Sequence, residues 1–433
     1  MRPILFLPAA TGRHANSPSN PFSSAEPRRV NLLFLNPVGV LGGAERILLD
    51  LLAVLREIRP AWNLHLIVGT DGPLREEARA LGVSTRIVPL PATLMRLGDS
   101  GLARSERGRT MRTLKQATRT LALLGAMPGY LRRLRRAVAE VRPALIHSNG
   151  IKSHLVAGYA APRGVPVTWH IHDFLAARVL VGKVLRRVAR PPTLAIAISE
   201  AVRRDTQSVL PRIRVETVYN GIDTKAFTPE GATLDLAALA GLPPTPEGTL
   251  RVGLIGTYAR WKGQDVLIDA AARLAGRPLR WYIIGGPLYE TAGSQFRESE
   301  LRERIRERGL ESHVGLVPFQ RQPPPVYRSL DLVVHASTKP EPFGRTIVES
   351  MASCRPTLVA NAGGAAELFT HDVDAVGVAP GDPTALADAI ATLATDPARR
   401  VRLGEAARNS VVTRFSRTVM GARIATIYES LMG

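Results

Sequence analysis

Short apolar runs bounded by turn residues recur along this chain, at 31–35, 64–68, 144–147, 165–169, 194–198 and 215–218, with amphipathic stretches between them. Runs that are apolar throughout, rather than alternating, predict parallel strands covered on both faces. Stretches such as 44–56 and 131–141 carry apolar residues at helical spacing and predict the crossover helices. The pattern breaks at 223–250, where Pro229, Gly231, Gly241, Pro243, Pro244, Pro246 and Gly248 predict a linker. It then restarts. Strands at 251–255, 280–284, 332–334 and 357–360 alternate with helices at 264–274, 298–308, 345–352 and 383–393, and 417–432 reads as a last amphipathic helix. Two doubly wound α/β domains follow from this, and ligands of such folds bind outside the carboxyl ends of the strands. The expected site is the crevice between the domains.

Length agrees with that division, since 433 residues exceed what one hydrophobic core usually serves. A content of 45% hydrophobic and 22% charged residues is that of a globular protein. Arginines interrupt every long apolar stretch, so no segment reaches the roughly 18–20 apolar residues of a spanning helix. Residues 1–29, rich in Ser, Pro and Asn after His14, read as a disordered leader, because no small-residue cleavage site marks them as a signal peptide. The one cysteine, Cys354, has no partner for an internal disulfide, and the cytoplasm is the expected compartment.

The formal net charge of +20 raises three classes of partner: nucleic acid, an anionic membrane surface and a phosphorylated substrate. Between Arg96 and Arg136 stand eleven basic residues, yet the only aromatic there is Tyr130 and aromatics make up 5% of the chain. Nucleic-acid binders interleave basic residues with stacking rings, so a nucleic-acid partner is not expected. Two readings of the basic stretch stay open. Leu131, Leu134 and Val138 at helical spacing among Arg132, Arg133, Arg135 and Arg136, with Lys183, Arg186 and Arg187 near further aliphatics, suit a helix lying on a membrane surface. They equally suit a domain helix with an arginine-rich solvated face.

Three segments carry candidate chemistry. The first strand runs into Gly42-Gly43-Ala44-Glu45-Arg46, where glycines before a helix let backbone N–H groups approach a phosphate. A tight turn alone would also use them, and the spacing is neither a dinucleotide fingerprint nor a Walker loop. The second domain opens on a strand followed by Arg260-Trp261-Lys262-Gly263, placing two cations where a diphosphate leaving group could be stabilised. The third segment runs from Glu341 through Pro342, Phe343, Gly344, Arg345 and Thr346 to Glu349. A helix starting at Gly344 puts Glu341 in the loop and Glu349 about two turns deeper. Backbone N–H groups of Phe343, Gly344, Arg345 and Thr346 would then face phosphate or sugar oxygens.

Taken with Trp169-His170-Ile171-His172-Asp173, Ile198-Ser199-Glu200, Tyr219-Asn220-Gly221, Ile284-Gly285-Gly286-Pro287 and Ala362-Gly363-Gly364-Ala365-Ala366-Glu367, these segments resemble the glycosyltransferase family 4 enzymes. The resemblance runs from about Asn31 to Phe415. It implies the GT-B fold, two Rossmann-like α/β domains facing across a cleft. Residues 30–225 would form the acceptor-side domain, with the helix 416–433 packed back on it, and 226–415 the nucleotide-sugar domain. It also implies roles: Glu341 on donor-sugar hydroxyls, Glu349 on the ribose, Lys262 on the pyrophosphate, and His172 beside the donor sugar and acceptor. His172, Glu341 and Lys262 are the expected catalytic residues; Gly43, Arg260, Lys262, Phe343, Gly344, Arg345, Thr346 and Glu349 the expected donor-binding ones. The implied activity is retaining transfer of a hexose from a nucleotide-diphosphate sugar to a glycan or lipid-linked acceptor. The nearest match to an Asp-x-Asp metal motif, Asp372-Val373-Asp374, lies in a late polar loop, so no metal or cofactor is expected. The alternatives are a basic nucleic-acid-binding protein, suggested by the net charge, and a catalytically inactive relative of the transferases.

Two positions depart from the family pattern. Thr257 stands where the family usually has Arg, leaving Arg260 to substitute from another point of the loop, and Cys354 stands where Gly is common, a change expected to alter packing rather than chemistry.

Overall fold

The computed structural model describes residues 30–95, 109–287 and 293–433, with the side chains of 109–124 and Thr93 left aside. The expected leader and part of the basic stretch lie outside these residues. Thirteen described strands form two sheets in which every pairing is parallel. The first sheet has the order β3-β2-β1-β4-β5-β6-β7, from β1 (Val30–Asn36), β2 (Trp62–Val68), β3 (Ser84–Ile87), β4 (Leu145–Asn149), β5 (Val167–Ile171), β6 (Leu194–Ala197) and β7 (Val215–Thr217). The second has the order β10-β9-β8-β11-β12-β13, from β8 (Leu250–Thr257), β9 (Leu279–Gly286), β10 (Val314–Pro318), β11 (Leu332–His335), β12 (Thr357–Ala360) and β13 (Val376–Val378). Each order reverses direction once, between β1 and β4 and between β8 and β11, and crevices for ligands open at such points.

The central strands β4, β5, β6, β11 and β12 are buried at every residue, which is why their sequences run apolar without alternation. Sequence periodicity missed β3, β10 and β13, and all three are sheet edges. β3 is short and largely exposed, and Gly315 and Gly377 interrupt the apolar runs of β10 and β13.

The predicted linker is mostly part of the second domain. Leu236–Leu239 forms a short helix, the N–H of Leu234 donates to Ser329 Oγ at 2.7 Å, and Thr245 and Tyr282 hydroxyls meet at 3.0 Å. Its prolines fix a packed path rather than a free one. The chain crosses between domains twice, and the two crossings lie side by side. Ile222 N–H donates to Phe415 O at 2.9 Å and Arg417 N–H to Ile222 O at 2.8 Å. A Cβ on Gly221 would sit 2.6 Å from Arg417 Cα, so only glycine permits this approach.

Past that point the helix Arg417–Met432, capped by Ser416, returns to the first domain and packs on the helix Gly43–Ile58. Gly421 lets them close up, since a Cβ there would meet Val54 Cγ1 at 2.3 Å. In the long helix Arg109–Val141, Leu134 and Val138 are buried in the first domain's core and Leu131 packs against it. Its apolar stripe is therefore used inside the protein and is not free to enter a membrane. Cys354 holds φ at 56°, a left-handed position after the helix Arg345–Ala352 that explains why glycine suits it. Burial pushes its thiol pKa up, the opposite of what a nucleophile needs.

Candidate active site

At the mouth of the second sheet, the turn Arg260–Lys262 is followed by Gly263 at φ 78°, where a Cβ would lie 2.0 Å from Ala336 O. Glycine thus lets the turn press against the end of β11, and Lys262 meets the loop beyond it. Lys262 Nζ donates to Glu341 Oε1 and Oε2, each at 2.9 Å, and stands 4.2 Å from the centre of the Trp261 ring. Ser337 Oγ donates to Glu341 Oε2 at 2.9 Å and His335 Nε2 lies 3.3 Å from the same oxygen. Burial alone would push the Glu341 carboxyl up, but the Lys262 ammonium and the hydrogen bond from His335 hold it well below the usual carboxylate range. The Glu341 backbone is also fixed. Gly364 N–H donates to Glu341 O at 2.7 Å, and a Cβ on Gly364 would lie 2.1 Å from Pro342 O.

Gly344, at φ 103°, caps the helix Arg345–Ala352. The first N–H groups of a helix have no partner inside it, and here they emerge beside the Glu341 loop. Two turns on, Glu349 is buried, accepting from Tyr327 Oη at 2.8 Å and from Arg345 Nε at 2.5 Å. Arg345 Nη1 donates in turn to Asp50 Oδ2, at 2.7 Å, on the first domain's helix Gly43–Ile58. Burial works against the Arg345 charge, but Asp50 and Glu349 outweigh it and raise its pKa. Arg345 is thus a tie between the domains. Phe343 is core: its ring meets Phe415 edge-on with centroids 6.1 Å apart.

Across the cleft, the loop after β1 is built on glycines of two kinds. Gly39 is wedged, since a Cβ would lie 2.4 Å from Asp71 O, whereas nothing stands within 4 Å of a Cβ on Gly43. Glu45 closes the turn by accepting from Gly42 N–H at 3.1 Å. His172 lies just beyond β5, with Nε2 2.7 Å from Asn149 Oδ1, and burial lowers its pKa to about 3, so the ring is neutral at physiological pH. Arg260 pairs with Glu300 at 2.7 Å and stacks on Phe296 at 4.3 Å, whereas Lys262 pairs with Glu341. The notion that it replaces the arginine absent at Thr257 finds no support in these contacts.

Residues 41–226 match the model described as Glycosyltransferase Family 4, and 243–410 that of Glycosyl transferases group 1. The lipopolysaccharide core biosynthesis mannosyltransferase LpcC of Rhizobium leguminosarum bv. viciae is 30% identical over 276 residues, 58% of this chain and 76% of the relative. The chain belongs to glycosyltransferase family 4. Another relative of this family 4 chain, the lipopolysaccharide core biosynthesis mannosyltransferase LpsB of Rhizobium meliloti, is 34% identical, with 50% of this chain and 60% of the relative covered. The chain spans about half, 52%, of a D-inositol 3-phosphate glycosyltransferase of Corynebacterium urealyticum, at 30% identity over 51% of its own length. Among solved structures, HepE of Anabaena, in complex with UDP and glucose, superposes with a TM-score of 0.73 at 26% identity, covering 92% of this chain and 99% of that one.

Several interdomain contacts of this family 4 chain escaped sequence reasoning. Glu367, the last residue of the Gly363-Gly364 motif, accepts from the N–H groups of Glu200 and Ala201 at 2.8 and 2.7 Å, and Ser199 Oγ donates to Pro342 O at 2.7 Å. Two of the segments that carry the resemblance are therefore interdomain contacts holding the Glu341 loop. Asp50 left one signal, a lone charge inside Leu48-Leu49-Asp50-Leu51-Leu52. Among the described residues, no group of three or more His, Cys, Asp or Glu side chains is placed to hold a metal ion.

The open space over Gly43 yields a test. Gly43→Ala leaves folding intact and gains up to ~1 kcal/mol of helix propensity. It raises the KM for a nucleotide-sugar donor about tenfold, near the ~1.5 kcal/mol of one hydrogen bond to a charged group. Thermal melts beside steady-state kinetics separate the two effects, and an unchanged KM would remove Gly43 from the donor site.

Proposed function

We propose that this protein transfers a hexose-type sugar, with retention of configuration, from a nucleotide-diphosphate donor to a glycan or lipid-linked acceptor. One observation carries the reading: Glu341 and Glu349 bracket a helix N-terminus, one paired with Lys262 and the other with Tyr327 and Arg345. That arrangement offers sugar and ribose hydroxyls two carboxyl groups as acceptors, with a cation and helix N–H groups beside them for the diphosphate. The bond from the anomeric carbon to the diphosphate breaks as the acceptor hydroxyl attacks from the same face, and the acceptor proton passes to the departing β-phosphate. The protein positions the partners and stabilises the growing phosphate charge through Lys262 and the helix Arg345–Ala352, a role that requires no metal.

HepE, solved with UDP and with UDP-glucose, supports a nucleotide-sugar donor. The lipopolysaccharide core mannosyltransferases support a surface polysaccharide or glycolipid as product. No described helix is long and apolar enough to cross a membrane. Contact with an anionic membrane on its cytoplasmic side fits the helix Val179–Val188, where Val179 and Leu180 are each 64% exposed beside Lys183, Arg186 and Arg187.

Thermal melts with a panel of nucleoside diphosphates and their sugars, without metal, test this reading. Binding at about a hundred times Kd adds ~2.7 kcal/mol of stability and raises Tm. The expected result is a shift with one base family, lost in Glu349→Gln. No shift with any of them would sink the donor assignment.

A further inference from the structure

Asn36 at the end of β1, Asn149 at the end of β4 and His172 beyond β5 form one chain of hydrogen bonds. Asn36 donates through Nδ2 to the carbonyl of Val38 at 2.6 Å. A carbonyl only accepts, so that atom of Asn36 is its amide nitrogen and its Oδ1 faces Asn149. Asn149 Nδ2 donates to that oxygen at 2.7 Å. The other terminal atom of Asn149 is then its oxygen, 2.7 Å from His172 Nε2. An amide oxygen cannot donate, so Nε2 carries the hydrogen and Nδ1 carries the lone pair. No hydrogen bond of a described residue engages Nδ1, and it is not among the buried unpaired atoms. The adjacent His170, 4.2 Å away between ring centroids, has both ring nitrogens buried without a partner, so it offers His172 no competing contact.

We propose that Asn36 and Asn149 are positioning residues that lock His172 as its Nε2–H tautomer and present Nδ1 as an acceptor for a substrate hydroxyl. The hydroxyl contact rests on the reading of His172 as facing the sugars; the tautomer does not. Direction passes from a backbone carbonyl that cannot reverse its role, through two amides, to the one ring whose protonation matters at the cleft. A neutral imidazole held this way receives a hydrogen bond from a sugar hydroxyl and gives none.

Nitrogen-15 labelling of the histidines in the full-length protein tests the tautomer at neutral pH, with the His172 signals identified by their loss in His172→Gln. The expected spectrum has a protonated Nε2 and a bare Nδ1. Asn149→Leu removes the acceptor and should mix the tautomers, while Asn149→Asp keeps an oxygen facing Nε2–H and should retain the tautomer. An Nδ1–H signal in the unsubstituted protein, or an unmixed Nε2–H signal in Asn149→Leu, overturns the proposal. Should Asn149→Leu fail to fold, the unsubstituted protein and Asn149→Asp decide, and loss of the tautomer in Asn149→Asp counts against it. These spectra need no substrate. Undiminished sugar transfer by His172→Gln would overturn the hydroxyl contact alone.

Discussion

Lys262→Met lowers turnover at least a hundredfold and destabilises the fold by about 3–5 kcal/mol, the usual cost of leaving a buried charge without its partner. Both Glu341 oxygens receive Lys262 Nζ, and the two side chains are only 19% and 10% exposed. The loss of turnover reflects a cation missing where leaving-group charge grows, an effect of ~10²–10³ for one such donor in other enzymes. Adding Glu341→Gln removes the stranded charge, so the double variant regains most of the stability and none of the activity. The pH dependence has a definite sign. In the parent protein Glu341 ionises below its usual range, so its contribution is present above the unfolded carboxylate value of 4.5 and is lost as pH falls. Without Lys262, burial dominates and raises the carboxyl pKa. The folded state then takes up a proton sooner than the unfolded one, and the deficit of Lys262→Met shrinks as pH falls. Urea unfolding across pH with kinetics on the three variants measures all of this. A double variant no more stable than Lys262→Met would mean that the two residues are not coupled.

The second large effect is acid lability. His147, His154 and His170 are almost wholly buried in β4, in β5 and in the helix between them, and burial lowers all three pKa values, that of His147 to about 3. A histidine with a lowered folded pKa gives stability that is fully present above its unfolded value of 6.5 and is lost as pH falls toward the folded value. Each such group contributes ~1.4 kcal/mol per pH unit between its folded and unfolded values, and His172, whose pKa burial also lowers to about 3, adds to the three. Against a typical total of roughly 5–15 kcal/mol, stability falls steeply as pH drops below the histidine range. His170→Leu reduces the slope by ~1.4 kcal/mol per pH unit, because it deletes one titrating group whose ring nitrogens have no partner in the fold. Urea midpoints measured across pH give the slope directly, and a slope unchanged in His170→Leu would show that His170 charges freely in the folded state.

Much of the site was legible because its residues carry local signatures. Gly344 before Arg345–Ala352 fixes a helix start, and the seven residues separating Glu341 from Glu349 place one carboxylate in a loop and one on a buried face. Lys262 followed by Gly263 marks a turn pressed against a strand end. The contacts of Arg260 were not legible for an equally local reason. Sequence shows a cation near a phosphate site, but the choice between open cleft and Glu300 depends on the position of the helix Glu298–Glu307, some forty residues on. Arg345 shows the same limit. Its place in the helix was predictable and its partner Asp50 was not, because that carboxylate arrives from another domain.

The sequence by itself determined two α/β units, their buried central strands and the helix that carries the two glutamates. Apolar periodicity, glycine and capping residues act over a few positions and are readable there. Tertiary structure alone decided that Lys262 and Glu341 pair, that Glu367 fastens one domain to the other, and that Asn36 and Asn149 orient His172. Those contacts join residues up to 167 positions apart. Hydrogen bonds and ion pairs act over a few ångströms of space, whatever the distance along the chain.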